Sequence, residues 1–522
     1  MRGALMVCGT ASDVGKSLVV LGLCRVLSRH GVRVAPFKGQ NMALNAAVTR
    51  QGAEIGRAQW AQAVAAGVEP EPAMNPVLLK PTGEARSQVV VMGRPWKTLE
   101  AAEYHAAKAE LVDVVLEALE DLRRRFDVVL CEGAGSPAEI NLLENDLVNL
   151  GLASRMGIPA ILVGDIDRGG VFAHLFGTVE LLPPALRRNV RGFVINKFRG
   201  DPALVGSATE ELDRRLGIPT LGILPWLDHG VLDVEDSLTL DRLTLDRARE
   251  PRARTQRRGQ RAQGLPLEAS DDLVDVAVIR FPRVSNFTDL EPLAFESGVQ
   301  VRWIEHPAEL GRPDLIILPG TKATIADLGW LRDSGLAGAI IRASRASDGP
   351  TVLGICGGYQ MLGSHIVDTD GVEAPPHSAL EGLQLLGVTT TFEATKHTAL
   401  RQGVDLFSGH RVEAYQMHHG RVTLIPGTSP WFCLQARGAN EREGAVDPAG
   451  RVYGTSLHGL FECTGFRSSM LEFVARRRGK QFAPSGVDVA TTRRTRADLI
   501  ADACERHLDL RALWALIEEG RS

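Results

Sequence analysis

The chain has 522 residues, more than one hydrophobic core usually holds, because domains commonly run to about 100–200 residues. Its hydrophobic content of 44% and charged content of 23% are those of an ordinary globular protein, and no apolar run reaches the roughly 18 residues that span a bilayer. A net charge of −4 gives no electrostatic reason to expect nucleic acid as a partner. Composition thus argues against membrane and nucleic-acid partners and predicts two substantial domains.

Seven cysteines are scattered along the chain without a CxxC pair or a metal-finger spacing. An odd, scattered set is typical of a reducing compartment rather than of a disulfide framework. The residues after Met1 indicate a strand and a glycine loop, without the basic region, long apolar stretch and cleavage site of a signal peptide. We therefore expect a cytoplasmic location.

The first half of the chain repeats one theme, in which a short β-branched apolar run is followed by glycine or polar residues and then by a helical pattern. Runs that are apolar on both faces and alternate with helices favour a parallel sheet covered on both sides. A helix is predicted over Lys16–His30, ending at Gly31. Six runs are predicted as buried strands: Ala4–Cys8, Val32–Pro36, Phe126–Cys131, Ile158–Gly164, Val190–Asn196 and Thr220–Leu224.

A glycine loop with the sequence Gly-Thr-Ala-Ser-Asp-Val-Gly-Lys-Ser lies between the first predicted strand and the first predicted helix. Backbone N–H groups of such a loop can surround phosphate oxygens, with Lys16 reaching the terminal phosphates of a nucleotide and Ser17 ligating Mg²⁺. Gly9 is one residue farther from Gly15 than the usual spacing, so the loop is a variant; the alternative is a tight glycine turn before a helix. The candidate nucleotide-binding residues of the loop are Gly9, Thr10, Gly15, Lys16 and Ser17.

Further charged residues follow the ends of predicted strands. Glu132 comes directly after Cys131 and is placed to hold Mg²⁺ directly or through water, the alternative being a turn with a solvent-facing carboxylate. Lys38, just after the second strand, adds a second positive charge near the γ-phosphate. Asp165 and Asp167 offer more carboxylates at the same edge of the sheet.

The nonamer Gly9–Ser17, long glycine spacing included, resembles that of dethiobiotin synthetase over about residues 1–230. That enzyme phosphorylates a carboxylate-like group so that nitrogen can attack and expel phosphate. The resemblance implies ATP-driven acyl activation, with Lys16, Ser17, Lys38 and Glu132 in the roles given above.

The character of the sequence changes between about Leu240 and Asp271, where arginines crowd a stretch with almost no apolar periodicity. A solvated linker is favoured there over a nucleic-acid arm because the whole chain is acidic. A second α/β unit follows, and a final helical pattern covers about Asp488–Glu519. The predicted strands of this unit are Val274–Ile279, Val299–Ile304, Leu315–Leu318 and Thr351–Ile355.

A second site is predicted around Cys356, in the string Gly-Ile-Cys-Gly-Gly between an apolar strand and a helix. This is the cysteine counterpart of the nucleophile elbow, whose glycines permit a sharp turn, and a helix N-terminus favours the thiolate. The N–H of Gly357 would face a developing oxyanion, and the turn at Gly320 would supply the second donor. The alternative is a buried, inert cysteine. His458, beside Gly459, could take the thiol proton, although a histidine next to glycine is often structural.

The strings around Cys356 and His458 resemble the class I glutamine amidotransferase domain over about residues 274–465. The resemblance implies that Cys356 is the nucleophile and His458 the base. Many members carry His-x-Glu, but here the corresponding residue is Leu460. Either Glu462 or a backbone carbonyl orients His458, or the site is a dyad.

A glutaminase and an ATP site in one chain predict one reaction, in which a carboxylate, ATP and glutamine yield a carboxamide, ADP, phosphate and glutamate. Four strings make a closer resemblance, to the cobyric acid synthase family: Phe37–Asn45, Asp165–Phe172, Asn196–Asp201 and Arg283–Asp289. It covers nearly the whole chain. The resemblance implies amidation of the b, d, e and g carboxylates of adenosylcobyrinic acid a,c-diamide to adenosylcobyric acid, with a corrinoid polycarboxylate, glutamine and ATP as partners and Mg²⁺ as metal.

The sequence as a whole predicts an α/β chain of two doubly wound, mostly parallel-sheet domains. Residues 1–240 are predicted as the ATP-dependent synthetase domain, 241–270 as a basic linker, 271–480 as the glutamine amidotransferase domain and 481–522 as a C-terminal helical segment. Two alternatives stay open: the sister enzyme cobyrinic acid a,c-diamide synthase, and a partitioning-type ATPase switch with a glutaminase-like interaction domain. The order of amidations, the corrin-contacting residues and the oligomeric state, a homo-oligomer included, are left open.

Overall fold

The structure is a computed structural model that describes residues 1–83, 85–143, 146–227, 273–436 and 439–521. The predicted basic linker, residues 241–270, lies outside these ranges. The described residues divide into two compact units. The first takes them from Met1–Ala43, Thr49–Asp233 and Arg493–Ser522, and the second from Leu44–Val48 and Val234–Thr492.

Residues 1–227 contain the predicted alternation of strands and helices, interrupted by two runs of consecutive strands, β2 to β5 and β6 to β8. The strands are β1 Gly3–Gly9, β2 Val34–Phe37, β3 Gln40–Met42, β4 Ala46–Val48, β5 Glu54–Gly56, β6 Val77–Pro81, β7 Arg86–Val91, β8 Arg94–Glu100, β9 Val128–Glu132, β10 Ala160–Asp165, β11 Val190–Phe198 and β12 Thr220–Pro225. The α-helices are α1 Lys16–Arg29, α2 Arg57–Ala66, α3 Ala101–Arg125, α4 Leu150–Arg155, α5 Val171–Leu181, α6 Pro184–Arg187 and α7 Gly206–Leu216. Short 3-10 helices lie at Pro72–Met74, Ile140–Leu142 and Pro202–Val205.

The main sheet of the first unit has the strand order β12-β11-β10-β1-β9-β2, and all neighbouring strands run parallel. The strands inside this sheet are largely apolar and buried on both faces, which is why they are recognisable as continuous apolar runs, whereas the edge strand β12 is partly exposed. A smaller sheet, β3-β6-β7-β8, is antiparallel except for its first pair. The sequence pattern did not predict this smaller sheet, because β8 is largely exposed and lacks an apolar run.

The C-terminal helices, α13 Val489–His507 and α14 Leu510–Glu519, differ from the separate segment predicted over residues 481–522. From Arg493 onward they belong to the first unit. Cys504 and Ile517 are fully buried and share a hydrophobic core with Leu5 and Leu23. The apolar faces of these helices are thus buried against the N-terminal sheet and α1.

Residues 273–521 carry the second half of the secondary structure. The strands are β13 Val274–Ile279, β14 Val299–Ile304, β15 Leu315–Leu318, β16 Thr351–Ile355, β17 His365–Asp368, β18 Ser378–Glu381, β19 Val388–Asp405, β20 Arg411–Leu424, β21 Phe432–Leu434, β22 Glu441–Glu443, β23 Ala445–Val446, β24 Val452–Thr455 and β25 Leu457–His458. The α-helices before the C-terminal pair are α8 Pro307–Leu310, α9 Thr324–Asp333, α10 Leu336–Arg345, α11 Gly357–Leu362 and α12 Thr464–Arg477. Two 3-10 helices lie at Phe287–Phe295 and Leu460–Glu462.

The second unit is built on a sheet with the order β14-β13-β15-β16-β24-β23, parallel except for its last pair. The four strands predicted in this unit have the predicted bounds. A second sheet contains the long antiparallel hairpin of β19 and β20, with β25 beside β20. The predicted α/β class with two mostly parallel sheets is confirmed. Among the described residues, no helix has the length and apolar character needed to cross a membrane.

Candidate active sites

The phosphate loop follows β1, and α1 begins at Lys16, as predicted. Gly15 has a φ of +98°, and a methyl group there would lie 2.1 Å from the amide nitrogen of Asn196, so glycine is required at this position. Asn196 donates to the backbone oxygen of Val14 at 2.9 Å, and Thr10 N donates to Val163 O at 3.0 Å. Neighbouring strands therefore hold the shape of the loop.

Lys16 is buried, and its ammonium group lies between two backbone carbonyls of the site. Nζ donates to Ala11 O at 2.9 Å and to Gly135 O at 3.1 Å. Gly135 belongs to the turn after β9, so the lysine lies between the phosphate loop and the neighbouring strand end. The contact of Lys16 with a nucleotide phosphate stays a prediction.

Glu132 is the centre of a buried polar cluster at the end of β9. Its Oε1 accepts from Ser17 Oγ at 2.8 Å and from Lys38 Nζ at 2.9 Å, and its Oε2 accepts from Gln62 at 2.6 Å. Burial alone would raise the pKa of Glu132, but the Lys38 ammonium and the hydrogen bonds from Gln62 and Ser17 bring the pKa below its ordinary value. The group is therefore a carboxylate. Because Glu132 is 1% exposed, the alternative of a solvent-facing turn residue is wrong.

Two partners of this first site were missed by the sequence argument. Gln62 lies on α2, where an amide in a helical pattern gives no signal of function. Lys197 follows Asn196, and its Nζ donates to Asp13 O at 2.5 Å and to Asp165 at 2.8 Å. Asp165 thus lies at the predicted edge of the sheet, paired with a lysine.

Cys356 directly follows β16 and immediately precedes α11. Its backbone has φ 51° and ψ −108°, a conformation that non-glycine residues rarely adopt and that marks a strained nucleophile turn. The turn is held by a 2.8 Å hydrogen bond from Cys356 N to Thr455 O. A methyl group at Gly358 would lie 1.9 Å from Leu318 O, so the glycine allows the close approach that the predicted elbow needs.

The predicted oxyanion donors lie on adjacent strand ends. Gly320 follows β15, next to β16 in the sheet, and its carbonyl accepts from Ser285 N at 2.8 Å. A methyl group at Gly357 would lie 3.2 Å from Thr321 N, and one at Gly320 would lie 3.1 Å from His458 Cε1. The first N–H groups of a helix have no intrahelical partner, so Gly357 N is a donor of the expected kind.

His458 lies on β25, just after β24, the strand that pairs with the Cys356 strand. Nδ1 of His458 is 2.6 Å from Asp289 Oδ2, and Asp289 Oδ1 accepts from Gly459 N at 2.9 Å. Burial alone would lower the pKa of His458, but Asp289 and Cys356 together raise it to about 10. The imidazole therefore holds its proton firmly between a carboxylate and a sulfur.

The group at His458 Nδ1, which the sequence left open, is the carboxylate of Asp289. Neither Glu462 nor a backbone carbonyl takes the Nδ1 position. Asp289 lies in the string Ser-Asn-Phe-Thr-Asp, and its 4% exposure in a 3-10 helix marks it as a buried carboxylate with a specific partner. The string Ser-Asn-Phe-Thr-Asp was the feature of the sequence that pointed to this region. Nothing in the neighbouring residues indicated that Asp289 would contact a histidine 169 residues away.

Comparisons with known proteins agree with this division into two sites. The model of a CobQ/CobB/MinD/ParA nucleotide binding domain matches residues 5–236, and that of a CobB/CobQ-like glutamine amidotransferase domain matches residues 275–466. The phosphate loop lies in the first match and Cys356, His458 and Asp289 in the second. These matches confirm the predicted order of a nucleotide-binding domain and a glutamine amidotransferase domain.

Relatives match over nearly the full chain. A cobyric acid synthase of Frankia casuarinae is 48% identical over 524 residues, covering 100% of this chain and 98% of the relative. A cobyric acid synthase of Rhodococcus jostii is 49% identical, covering 99% and 96%, and one of Streptomyces coelicolor is 46% identical, covering 100% and 97%. The predicted kind of enzyme, a glutamine-hydrolysing ligase of cobalamin biosynthesis, is confirmed. The chain belongs to the cobyric acid synthase family.

Proposed function

We propose that this chain amidates the b, d, e and g carboxylates of adenosylcobyrinic acid a,c-diamide, using ATP and glutamine, and yields adenosylcobyric acid. The observation that carries the proposal is the presence of two complete sites in a chain whose relatives match over almost its whole length. One site has a phosphate loop that contains the buried Lys16, and next to it a buried carboxylate, Glu132, paired with Lys38. The other has a cysteine at a strained turn, with a histidine held by an aspartate.

In the first site, a corrinoid carboxylate oxygen attacks the γ-phosphorus of ATP, and ADP leaves with the bridging oxygen. The product is an acyl phosphate, whose carbon is open to attack by ammonia. Lys16 and Lys38 offset the negative charge that collects on the phosphate oxygens. Ammonia then adds to the acyl carbon, phosphate departs, and a carboxamide remains.

Magnesium fits this site by the chemistry of its donors. Ser17 Oγ and the ionised Glu132 are oxygen ligands of the kind that Mg²⁺ prefers. The described part of the chain has no group of three or more His, Cys, Asp or Glu that could hold a metal, so nucleotide phosphates and water would complete the coordination. Bound there, the ion would neutralise charge on the β- and γ-phosphates.

In the second site, the Cys356 thiolate attacks the side-chain amide carbon of glutamine. The oxyanion that forms is stabilised by the N–H groups of Gly357 and Gly320. His458 gives its proton to the leaving nitrogen, ammonia departs, and water hydrolyses the thioester to glutamate. Because ammonia at neutral pH is mostly ammonium, we expect a protected transfer of ammonia to the acyl phosphate.

We also infer that the protein is cytoplasmic. All seven cysteines are free in the structure, and five of them are buried among other side chains, which suits a reducing compartment.

The proposal is tested by mass spectrometry of the product formed from the a,c-diamide with ATP, Mg²⁺ and glutamine. We expect four successive conversions of carboxylate to carboxamide. A product that stops short of four, or amidation of the a and c positions of the unamidated precursor, would contradict it and favour the sister enzyme. ATP turnover that neither the corrinoid nor ammonia affects would favour a partitioning-type switch.

Two variants test the division of labour. Cys356→Ala removes the nucleophile, so glutamine-supported amidation should vanish while amidation with a high concentration of ammonium salt persists. Lys16→Ala should stop amidation from either nitrogen source, whereas Lys97→Ala, which alters an exposed lysine paired with Glu110, should leave both rates unchanged. Loss of both activities in folded Cys356→Ala protein would refute the assignment.

A further inference from the structure

Residues 44–48, which we call the strap, lie in the N-terminal part of the sequence but belong to the second unit. The strap starts six residues after Lys38, the lysine that pairs with Glu132 in the nucleotide site. Its residues are among the most buried polar and small side chains of the chain: Asn45 is 0% exposed and Ala46 is 1% exposed. Because residues 45–48 are buried, the strap is part of the packing of the unit to which it belongs.

The strap makes a reciprocal pair of hydrogen bonds with the turn that carries Asp289. Phe287 N donates to Asn45 Oδ1 at 3.1 Å, and Ala46 N donates to Asn286 Oδ1 at 3.1 Å. Asn286 has a φ of +51° and immediately precedes the 3-10 helix in whose first turn Asp289 lies. The left-handed conformation at Asn286 is an unfavourable one that these two hydrogen bonds help to hold.

The strap also binds the residue that lies against the face of the imidazole. Tyr415 on β20 is directly opposite His458 on β25, and the two rings stack with centroids 5.1 Å apart and planes 21° apart. The hydroxyl of Tyr415 donates to Ala46 O at 3.3 Å. The pairing of β20 with β25 therefore places the ring of Tyr415 against His458. The hydrogen bond to the strap places its hydroxyl.

We propose that the strap, through Asn45 and Ala46, is a positioning element of the glutaminase: it holds the Asn286–Asp289 turn and the ring of Tyr415, and through these two supports it orients His458 toward Cys356. The inference rests on the proposed function of the second site. It assigns positioning roles to Asn45, Asn286 and Tyr415, residues that do not touch the reacting atoms.

Support of His458 matters because proton transfer requires the donor and acceptor atoms to be placed accurately. Asp289 fixes which nitrogen of His458 carries the proton, and Tyr415 limits rotation of the ring, so Nε2 stays directed at the sulfur. A misplacement of about 1 Å at a catalytic group can reduce the rate by about 100-fold. Loss of either support should therefore slow the chemical step without removing the glutamine-binding groups.

One stretch of chain therefore carries both Lys38, which pairs with Glu132, and the strap of the second unit.

Tyr415→Phe is the most informative variant, because it keeps the stacked ring and removes only the hydroxyl that binds Ala46. Asn45→Ala removes the acceptor for Phe287 N. We expect each to lower the kcat of glutamine hydrolysis about 10-fold or more, with the KM for glutamine within about twofold of wild type. Tyr453→Phe is the matched control, since it deletes a tyrosine hydroxyl in the same unit that binds Gly450 O instead, and it should leave kcat unchanged.

Amidation driven by ammonium salt distinguishes a misplaced His458 from a loss of folded or otherwise active protein, because it does not need the glutaminase. Both strap variants should retain the wild-type rate with ammonia, and the pH dependence of glutamine hydrolysis should shift because the imidazole is held less firmly. A kcat within twofold of wild type in Tyr415→Phe, or an equal loss with ammonia and with glutamine, would overturn the proposal. If Asn45→Ala does not give folded protein, Tyr415→Phe alone decides.

The same measurements distinguish the strap from the proposed function. If wild-type protein hydrolyses glutamine but does not amidate the a,c-diamide even with ammonia, the proposed corrinoid substrate is wrong while the strap remains tested by hydrolysis. If wild type amidates normally and the strap variants hydrolyse glutamine as wild type does, only the strap proposal fails.

Discussion

At the scale of the residue, the contact between His458 and Asp289 is the feature of the second site that the sequence left open. The carboxylate lies 2.6 Å from Nδ1 and also accepts from Gly459 N, so it is fixed at both oxygens. The resemblance to the amidotransferase class implies, for many members, a glutamate two residues after the histidine, but Leu460 occupies that position here. The carboxylate at Nδ1 comes instead from a distant part of the chain.

Replacing Asp289 by asparagine should lower the kcat of glutamine hydrolysis by roughly 10²–10⁴, because the wrong tautomer of His458 is then favoured. Glu462→Gln is the control, since it alters the carboxylate that the sequence offered as the alternative. Steady-state hydrolysis with each variant makes the comparison. A large effect in Glu462→Gln with none in Asp289→Asn would reverse the assignment.

The same pair predicts a pH dependence of stability. The pKa of His458 is raised from 6.5 to about 10, so the stabilisation from its charged form is fully present below pH 6.5 and is lost as the pH rises through 10. The difference in the free energy of unfolding between wild type and Asp289→Asn should therefore be larger at pH 6 than at pH 10. Denaturant unfolding at the two pH values measures it, and a difference that grows with pH would contradict the pairing.

At the scale of elements, both sites are assembled where neighbouring parallel strands end. Gly320 follows β15, Cys356 follows β16, and His458 lies on β25 just after β24. The nucleotide site is arranged in a similar way at the end of β1. Because parallel strands have their carboxyl ends at the same edge of the sheet, residues that are far apart in sequence lie close together there. This regularity is why the site residues could be predicted from strand ends.

The elbow before α11 depends on glycine. A methyl group at Gly358 would lie 1.9 Å from Leu318 O, so Gly358→Ala must displace the strand or the helix and should destabilise the protein by about 1–3 kcal/mol. Gly329→Ala is the matched control, because Gly329 lies within α9 with open space around it, and alanine there should be stabilising by about 0.5–1 kcal/mol.

Thermal unfolding and glutamine hydrolysis measured on both glycine variants check this pair. Gly358→Ala should lose glutamine hydrolysis as well as stability, while ammonia-driven amidation remains at temperatures where the protein is folded. A fully active Gly358→Ala enzyme would show that the elbow tolerates the side chain and that its backbone is not the source of the geometry.

At the scale of the whole molecule, the C-terminal helices belong to the same unit as the N-terminal strand and helix. The helices after residue 492 complete the hydrophobic core of the first unit, and Arg29 on α1 forms ion pairs with Asp498 and Asp502 on α13. The ion pairs lie at the surface and contribute little, so burial of the apolar faces is the main stabilising interaction.

Ile517→Ala should therefore lower the free energy of unfolding of the first unit by about 2–5 kcal/mol, because Ile517 is fully buried in the shared core. Leu499→Ala, in the same C-terminal segment but 57% exposed, should be nearly neutral. Ammonia-driven amidation, which needs the nucleotide site, should be inactivated at a lower temperature in Ile517→Ala. Equal stability of the two variants would mean that the C-terminal helices are an appendage after all.

The sequence by itself determined the features that depend on local backbone and burial. Glycines in the phosphate loop and at the elbow indicate turns, and apolar runs indicate strands that are buried on both faces. The loop and the candidate nucleophile Cys356 could therefore be predicted from short stretches of sequence. Only the tertiary structure decided which distant groups meet. Asp289 and His458 are 169 residues apart, and the strap and the C-terminal helices join units to which their place in the sequence does not assign them. Such pairings depend on packing and on strand register across the whole chain, and no local pattern of side chains encodes them.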